Sequence, residues 1–454
     1  MSGSISEGRS LSPEKGDTAT ESNNSPSDLD IEKNTHKPVA AADSPPGPPP
    51  PPNGGLTAWL QVLGGFLFVL NTWGMANTFG VFQTYYSSIL LTNDTPSAIS
   101  WIGSIQGFLL LFVGVFSGRA FDAGYFYLVT GLGVFLSVFG MMMTSLSTKY
   151  YQVFLAQGIC LGLGSGCLFT PGISLVGQYF STRRGLATGI AASGSSVGGI
   201  IFPIVVRRLI VTVGFPWAVR AMAFIMLGTL LIGISVLKPR LPPRKSGPVV
   251  DVEAFKDPAY STFVFGLALG FMAFFIPFFY SDSYALNIGL DSELAFYILS
   301  IMNAAGMVGR LLPNAIADKL GTLNVIIPCA FISAVVVLSW IPVHNLGGLI
   351  ATSVLYSFFS GGLMALPPAV LVSLSPNLSK IGVRVGMALT IGSLGVLIGS
   401  PVAGAILFRQ NQNGDPESLN YSGTLAFTGI SLFVCGLLMT ATRVIKNGVK
   451  LEKL

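Results

Sequence analysis

The chain has 454 residues, of which 51% are hydrophobic and only 10% are Asp, Glu, Lys or Arg. A soluble domain carries about 25% charged residues, so this composition excludes an ordinary soluble globular protein. The net charge of +5 does not indicate a nucleic-acid partner, because the basic residues lie between apolar stretches rather than on one face. The two histidines, His36 and His344, fall in a polar tail and a predicted loop, so we expect no histidine-based enzyme site.

The chain begins with a polar segment, residues 1–55, that contains the proline run of residues 45–52. Too few apolar residues lie there to offset the entropy of ordering, so we expect a disordered, proline-rich cytoplasmic tail. The proline run is interpreted as a stiff spacer, with binding to an SH3 or WW domain as the alternative. The tail has no apolar signal-peptide core, so the first membrane helix is expected to serve as the membrane signal.

Twelve apolar stretches follow, and each is about 20 residues long, which suffices to cross a hydrocarbon core of about 30 Å as a helix. They predict an all-α membrane protein with twelve transmembrane helices in two parallel six-helix repeats. The predicted spans are residues 57–80, 97–117, 126–146, 151–173, 185–206, 218–237, 260–281, 294–313, 323–342, 347–371, 385–408 and 421–442. The predicted regions are an N-terminal half (56–237), a cytoplasmic linker (238–257), a C-terminal half (258–443) and a cytoplasmic tail (444–454).

The repeat is visible in two of these helices. Four small residues of the fifth span recur in the eleventh span at a constant offset of 201 positions: Gly185, Ala187, Gly194 and Gly198 correspond to Gly386, Ala388, Gly395 and Gly399. A shared register across the chain indicates duplication of a six-helix unit, which resembles the build of the major facilitator superfamily. Close helix packing alone would explain each glycine but not the common offset.

Two loops resemble the cytoplasmic loop motif of that superfamily and are predicted to latch one conformational state. The loop after the second span carries Gly118, Arg119 and Asp122, and the loop after the eighth span carries Asp318. An acid in such a loop accepts hydrogen bonds from a helix N-terminus or pairs with arginine. The gating prediction therefore includes Arg183 and Arg184; an ordinary solvated turn is the alternative.

A closer resemblance, to the monocarboxylate porter family and its fungal branch, covers residues 53–443. It rests on Asn53-Gly54-Gly55, on Phe169-Thr170-Pro171 with Gln178 to Gly189, on Ser300 to Arg310, and on Asp122 to Phe126. The resemblance implies a substrate that is monocarboxylate-like, riboflavin-like or a secondary metabolite. Two positions depart from proton-coupled members, because Asn77 stands where those carriers have a lysine, and Gly306 where they have an aspartate.

Arg310 is the first candidate for substrate binding, because a charge at membrane depth costs at least about 2.5 kcal/mol and persists only with a role or a partner. Asn303 lies two turns earlier on the same face. The alternative places Arg310 at the helix end, reaching the cytoplasmic surface or pairing with Asp318. The other substrate-binding candidates are Asn77, Asn71, Tyr280, Tyr284, Tyr356, Gln106 and Phe169.

These features predict a secondary transporter that moves a small organic anion or planar metabolite by alternating access. The alternatives are an uncoupled facilitator, a metabolite efflux pump and a non-transporting nutrient sensor. We expect a monomer in the plasma membrane, without cofactor or metal, because the four cysteines lie in apolar stretches without metal-ligand spacing. A proton is the one further partner considered, and coupling to it is expected to be weak or absent.

Charge sorting predicts that Met1 and Leu454 both face the cytoplasm. With the N-terminus placed inside, Lys149, Arg207, Arg208 and Arg409 are the basic residues in predicted outer loops, and most others lie in inner loops. A tag at either terminus should resist a membrane-impermeant label in intact cells and react after permeabilisation. Labelling of either tag in intact cells would contradict this orientation.

Overall fold

The computed structural model describes residues 51–180, 183–243, 250–375, 381–411 and 419–448. Within these residues the chain is helical and contains no strand. The proline-rich tail up to residue 50, part of the predicted linker (244–249) and the end of the C-terminal tail (449–454) lie outside the described residues. The predicted boundaries of the two halves, linker and tails therefore stay predictions.

The first half consists of six helices. They are α1 (Leu56–Tyr85), which continues as a π-helical turn at Tyr86–Leu90, α2 (Pro96–Asp122), α3 (Phe126–Thr144), α4 (Tyr150–Tyr179), α5 (184–213) and α6 (215–236). The last two form one helical run, Arg184–Val236, that is broken at Gly214.

The second half consists of six further helices. They are α7 (Pro258–Asn287), α8 (Ser292–Leu320), α9 (Thr322–Leu338), α10 (Leu346–Leu374), α11 (Ile381–Gln410) and α12 (Ser422–Asn447). The order of these helices matches the predicted order, and the all-α class with twelve helices in two repeats is confirmed. Over the described ranges, nine helical segments are long and apolar enough to cross a membrane; the 186–236 run counts once, and Thr322–Leu338 is apolar but shorter.

One predicted loop is much shorter in the structure. The spans predict a loop over residues 207–217 between the fifth and sixth helices, but the chain stays helical except at Gly214, whose φ of 78° and ψ of 163° break the run. Glycine adopts a positive φ without steric cost, so a single residue replaces the loop. Arg207 and Arg208 therefore lie in the last turns of α5, where long basic side chains reach a polar surface from a helical position.

Glycines join α5 to α1 and α11 to α7 in equivalent ways. A Cβ atom on Gly198 would lie 2.6 Å from the carbonyl oxygen of Leu70 in α1. A Cβ atom on Gly399 would overlap the carbonyl oxygen of Met272 in α7. The residues that share a register in sequence thus make the same backbone contact in the two halves, which confirms the repeat.

The two halves meet along two seams, of which one joins α2 to α11 and the other joins α5 to α8. We call the end of the bundle that carries the start of α1, the end of α6 and the start of α7 the linker end, and the opposite one the far end. Near the far end, the Ser97 hydroxyl of α2 donates to the Pro401 carbonyl of α11 at 2.8 Å. Towards the linker end, Gly189 of α5 faces Leu311 of α8. Between the seams, the central turns of α1 and α7 lie against each other.

The glycine contacts generate a stability prediction. Gly399→Ala should lower the free energy of unfolding by about 1–3 kcal/mol, because a methyl group at a backbone contact forces the helices apart. Gly228→Ala in α6 is the matched control, because nothing lies within 4 Å of a Cβ atom at that position. Thermal unfolding of the purified variants in one detergent measures both. Equal melting temperatures for the two variants would contradict the proposed packing role of Gly399.

Candidate functional site

A partly buried cationic group bridges the seam between α5 and α8. Arg310 lies in the middle third of α8, and its Nη1 donates to the hydroxyls of Ser195 and Ser196 on α5, the latter at 3.1 Å. Its Nε is shielded from solvent and has no hydrogen-bond partner. Among the described side chains, no carboxylate lies within ion-pair distance of Arg310. The guanidinium therefore points into the interface between the halves rather than towards a membrane surface.

Two neutral hydroxyls compensate this charge only in part. A guanidinium has five N–H donors in a planar fork that matches a carboxylate, and hydrogen bonds between charged partners are stronger than those to hydroxyls. An unpaired charge in a low-dielectric interior is costly, and an anion that reaches it gains correspondingly. Arg310 and its serine partners are therefore an incomplete anion site.

Two asparagines flank this cation, and both leave an acceptor unused. The Asn303 amide nitrogen donates to Leu299 within α8 at 2.9 Å, whereas its Oδ1 is buried without a partner. The Asn77 amide nitrogen of α1 makes a long contact of 3.5 Å with the Ser195 carbonyl, and its Oδ1 is also buried without a partner. The structure thus brings three predicted residues, Asn77, Asn303 and Arg310, to one stretch of α5.

Gly199 makes room for this arrangement on α5. A Cβ atom there would overlap the Asn303 amide, so only glycine permits the amide to sit against the α5 backbone. Because Ser195 and Gly199 are four residues apart, they lie on one face of α5.

Aromatic rings pack one turn along α1 from Asn77. The Trp73 indole lies 5.6 Å from the Phe169 ring of α4 in an edge-to-face arrangement with an interplanar angle of 80°. It also lies 6.2 Å from the Phe275 ring of α7, and these two rings are nearly parallel, with an interplanar angle of 7°. Phe169 was predicted here and Trp73 and Phe275 were not, although the spacing of four between Trp73 and Asn77 places them on one helix face. We call Trp73, Asn77, Ser195, Phe275, Asn303 and Arg310 the central cluster.

Four other predicted residues use their polar atoms to join helices outside this cluster. The Asn71 amide nitrogen donates to Leu67 O at 2.7 Å and to Thr229 Oγ1 at 2.9 Å. The Tyr280 hydroxyl bonds to Ser100 Oγ at 2.7 Å, and the Tyr356 hydroxyl donates to Phe274 O at 2.8 Å. The Tyr284 hydroxyl lies 2.8 Å from Trp340 O and 2.9 Å from Val343 O. These bonds satisfy the polar groups as helix–helix contacts do. The structure does not bring these side chains together in one site.

Gln106 of α2 is fully buried, and both polar atoms of its amide lack a hydrogen-bond partner. It packs at a close crossing with α4, where a Cβ atom on Gly162 would lie 3.1 Å from the Gln106 Cα. Its substrate contact stays a prediction.

The predicted gating residues gather at the linker end where they are described. Gly118 packs against Thr170 of α4, and Asp122 lines a cavity of about 330 Å³ together with Gln178 and Pro239. Arg119, which precedes Asp122 in the last turn of α2, is partly buried, and Arg183 is exposed. The side chains of Arg184 and Asp318 lie outside the described residues.

An ion pair at the linker end was not predicted. The Arg384 Nε of α11 lies 3.2 Å from the Asp251 Oδ2, both side chains are buried, and the guanidinium lies 5.7 Å from the Tyr260 ring centre. The sequence places Arg384 in an inner loop, and no spacing pairs it with a residue more than one hundred positions away. This pair ties the end of the linker to the start of α11.

Comparison with known proteins gives consistent matches. A family model described as Major Facilitator Superfamily matches residues 56–348. The chain is 45% identical to the MFS-type transporter dbaD of Emericella nidulans over 91% of each protein. It is 39% identical to the MFS transporter asaE of Aspergillus flavus over 98% of each, and 39% identical to the Aspyridones efflux protein apdF of Emericella nidulans over 86% of this chain and 80% of that protein.

Among solved structures, the nucleoside transporter NupG is similar, with a TM-score of 0.66 and 13% identity. The match covers 86% of this chain and 99% of NupG. At this identity, the similarity concerns the fold alone.

Proposed function

Because the chain belongs to the Major Facilitator Superfamily and is a membrane transporter of that type, we propose that it exports a small organic anion or planar metabolite by alternating access. The observation that carries this proposal is the Arg310 guanidinium, which lies between the two halves with serine hydroxyls as its partners. The direction is supported by a relative named as an efflux protein for aspyridones.

The proposed cycle uses the seam between α5 and α8 as a gate. When the halves part at the linker end, Arg310 leaves Ser195 and Ser196 and binds the anionic group of the substrate. A pair of opposite charges replaces two hydrogen bonds to neutral hydroxyls, so the substrate stabilises the parted state relative to the closed one. Asn77 and Asn303 then accept hydrogen bonds from donor groups of the substrate through their unused Oδ1 atoms.

The proposal extends to the branch and the location of the protein. The resemblance to the monocarboxylate porter family supports a carrier with an arginine-centred site, although Asn77 and Gly306 replace the lysine and aspartate of its proton-coupled members. We place the protein in the plasma membrane with both termini in the cytoplasm, which makes the linker end the cytoplasmic end. Export then begins with binding from the cytoplasm.

Replacement of Arg310 tests the anion site. Arg310→Ala should lower the apparent affinity for the substrate roughly tenfold to a hundredfold, because a hydrogen bond to a charged group contributes about 1.5–3 kcal/mol. Arg310→Lys should weaken export less, because it keeps the charge and loses the planar fork. Metabolite profiling of medium and cells, with and without the protein, identifies the exported anion for these assays.

The control for this experiment is Arg409→Ala, which removes an exposed arginine at the end of α11. Surface abundance of each variant is measured in parallel. Export at the normal rate by Arg310→Ala, at normal abundance, would remove Arg310 from the substrate site.

Transport is expected to be weakly coupled to protons or uncoupled. Asp282, which lies near the far end of α7, is buried beside a cavity of about 300 Å³ that Thr84, Tyr85 and Arg207 also line. A coupling acid must exchange protons with both sides in turn. Asp282 lies about two turns beyond Phe275 towards the far end of α7 and is not part of the central cluster. Accumulation of substrate in vesicles should therefore change little when a pH gradient is imposed.

The matched variants are Asp282→Asn and Asp291→Asn, the latter at an exposed residue. Accumulation driven well above equilibrium by the gradient, and lost in Asp282→Asn alone, would identify Asp282 as a coupling acid.

A further inference from the structure

Two parallel aromatic rings face each other across the two halves of the bundle. Trp73 belongs to the first half and Phe275 to the second; their ring centres are 6.2 Å apart and their planes differ by 7°. Over the described residues, one other aromatic pair joins the halves, Phe79 with Phe279, and its planes are inclined by 61°. The Trp73–Phe275 pair is therefore distinguished by orientation rather than by location alone.

Parallel rings on two halves that part in the proposed cycle are oriented to take a third ring between them. Stacked rings are in contact at about 3.5–4 Å between carbon atoms, so an inserted ring needs two such spacings. Separation of the halves supplies this spacing without rotation of either side chain. The Phe79–Phe279 pair lacks this property, because one ring would have to turn before a planar group contacted both faces.

The surroundings keep the Trp73 ring in its orientation and away from solvent. Phe169 contacts the indole at an interplanar angle of 80°, which fixes the ring from a third helix. The exposed fractions of Trp73 and Phe275 are 5% and 3%. Stacking contacts in such a desolvated position lose little to competition with water.

The polar groups next to the rings restrict the rest of the ligand. Asn77 is one turn from Trp73 along α1. The Oδ1 atoms of Asn77 and Asn303 are both buried acceptors without a hydrogen-bond donor. Arg310 supplies a buried N–H donor and a positive charge. A complementary molecule carries an acidic group for the arginine and hydroxyl or N–H donors for the two amide oxygens.

We infer that Trp73 and Phe275 form an aromatic clamp, and that the substrates of this protein are planar, conjugated acids that also carry hydroxyl or N–H donors. This inference rests on the proposed function, because it assigns the same anion to Arg310, and it adds the ring system and the donors. The planar group enters the clamp when the halves part and leaves it when they close.

A matched pair of acids tests the clamp with purified protein in lipid nanodiscs. The probes are naphthalene-2-carboxylate and its fully saturated decahydro counterpart, which have the same charge and carbon skeleton. The planar acid should bind about tenfold tighter, because stacking on two rings contributes about 1–2 kcal/mol beyond apolar burial. Trp73→Leu and Phe275→Leu should bring the ratio of the two affinities close to one; Phe79→Leu is the matched control and should preserve the preference for the planar acid.

Affinity should also rise from benzoate to naphthalene-2-carboxylate to anthracene-2-carboxylate, and more steeply than among the saturated counterparts, which gain by apolar burial alone. This series uses the unchanged protein, so it decides the question even if a leucine variant does not fold. Equal affinities for planar and saturated acids, both lost in Arg310→Ala, would overturn the clamp and leave the anion site standing. Binding of neither acid, or binding that survives Arg310→Ala, would overturn the anion site itself.

Discussion

The close approach of α5 to α1, and of α11 to α7, is the constraint on which the rest of the structure depends. Inside a bilayer, apolar side chains gain little by leaving lipid, so helices associate through backbone proximity and close packing. Gly198 and Gly399 permit this approach at equivalent positions of the two halves. The seam between α5 and α8 is closely packed at Gly199, where a Cβ atom would overlap the Asn303 amide, and less closely packed towards the linker end, where a Cβ atom on Gly189 would lie at an ordinary contact distance of 3.4 Å from Leu311. Each half is consolidated internally by these glycine contacts, and the proposed opening at the linker end begins where the α5–α8 seam is less closely packed.

The seam between α5 and α8 holds the Arg310 guanidinium, whose serine hydroxyl partners bind it less strongly than a carboxylate would. The Ser195 and Ser196 hydroxyls both accept from the Arg310 Nη1, while the Arg310 Nε and the Oδ1 atoms of Asn77 and Asn303 have no hydrogen-bond partner. Buried polar atoms of this kind are costly in a finished protein core and are expected where a ligand or water completes the network. The unpaired polar atoms raise the free energy of the empty site, and the same atoms bind the substrate when it completes their hydrogen bonds. Selectivity follows from the adjacent rings rather than from the charge, which attracts any anion.

The helices and the polar part of the site were predictable, and the aromatic part was not. Apolar length sets the number of spans, and Arg310, Asn303 and Asn77 stand out because polar groups at membrane depth are expensive. Sequence does not tell which aromatic rings face lipid, a neighbouring helix or the site. The Tyr284 hydroxyl donates to backbone carbonyls, whereas the Trp73 ring lies against Phe275 of the other half. The break at Gly214 depends on the conformation of one residue, and the Asp251–Arg384 pair depends on the tertiary fold.

A reversible cross-link across the seam tests the account most directly. In a background with Cys160, Cys167, Cys329 and Cys435 replaced, Gly189→Cys and Leu311→Cys place one thiol on each half, at a point where α5 and α8 touch. Oxidation should join the two helices, stop substrate export, and permit full recovery after reduction, with each single-cysteine variant unaffected. Export at an undiminished rate by fully cross-linked protein would show that the substrate does not require this seam to open.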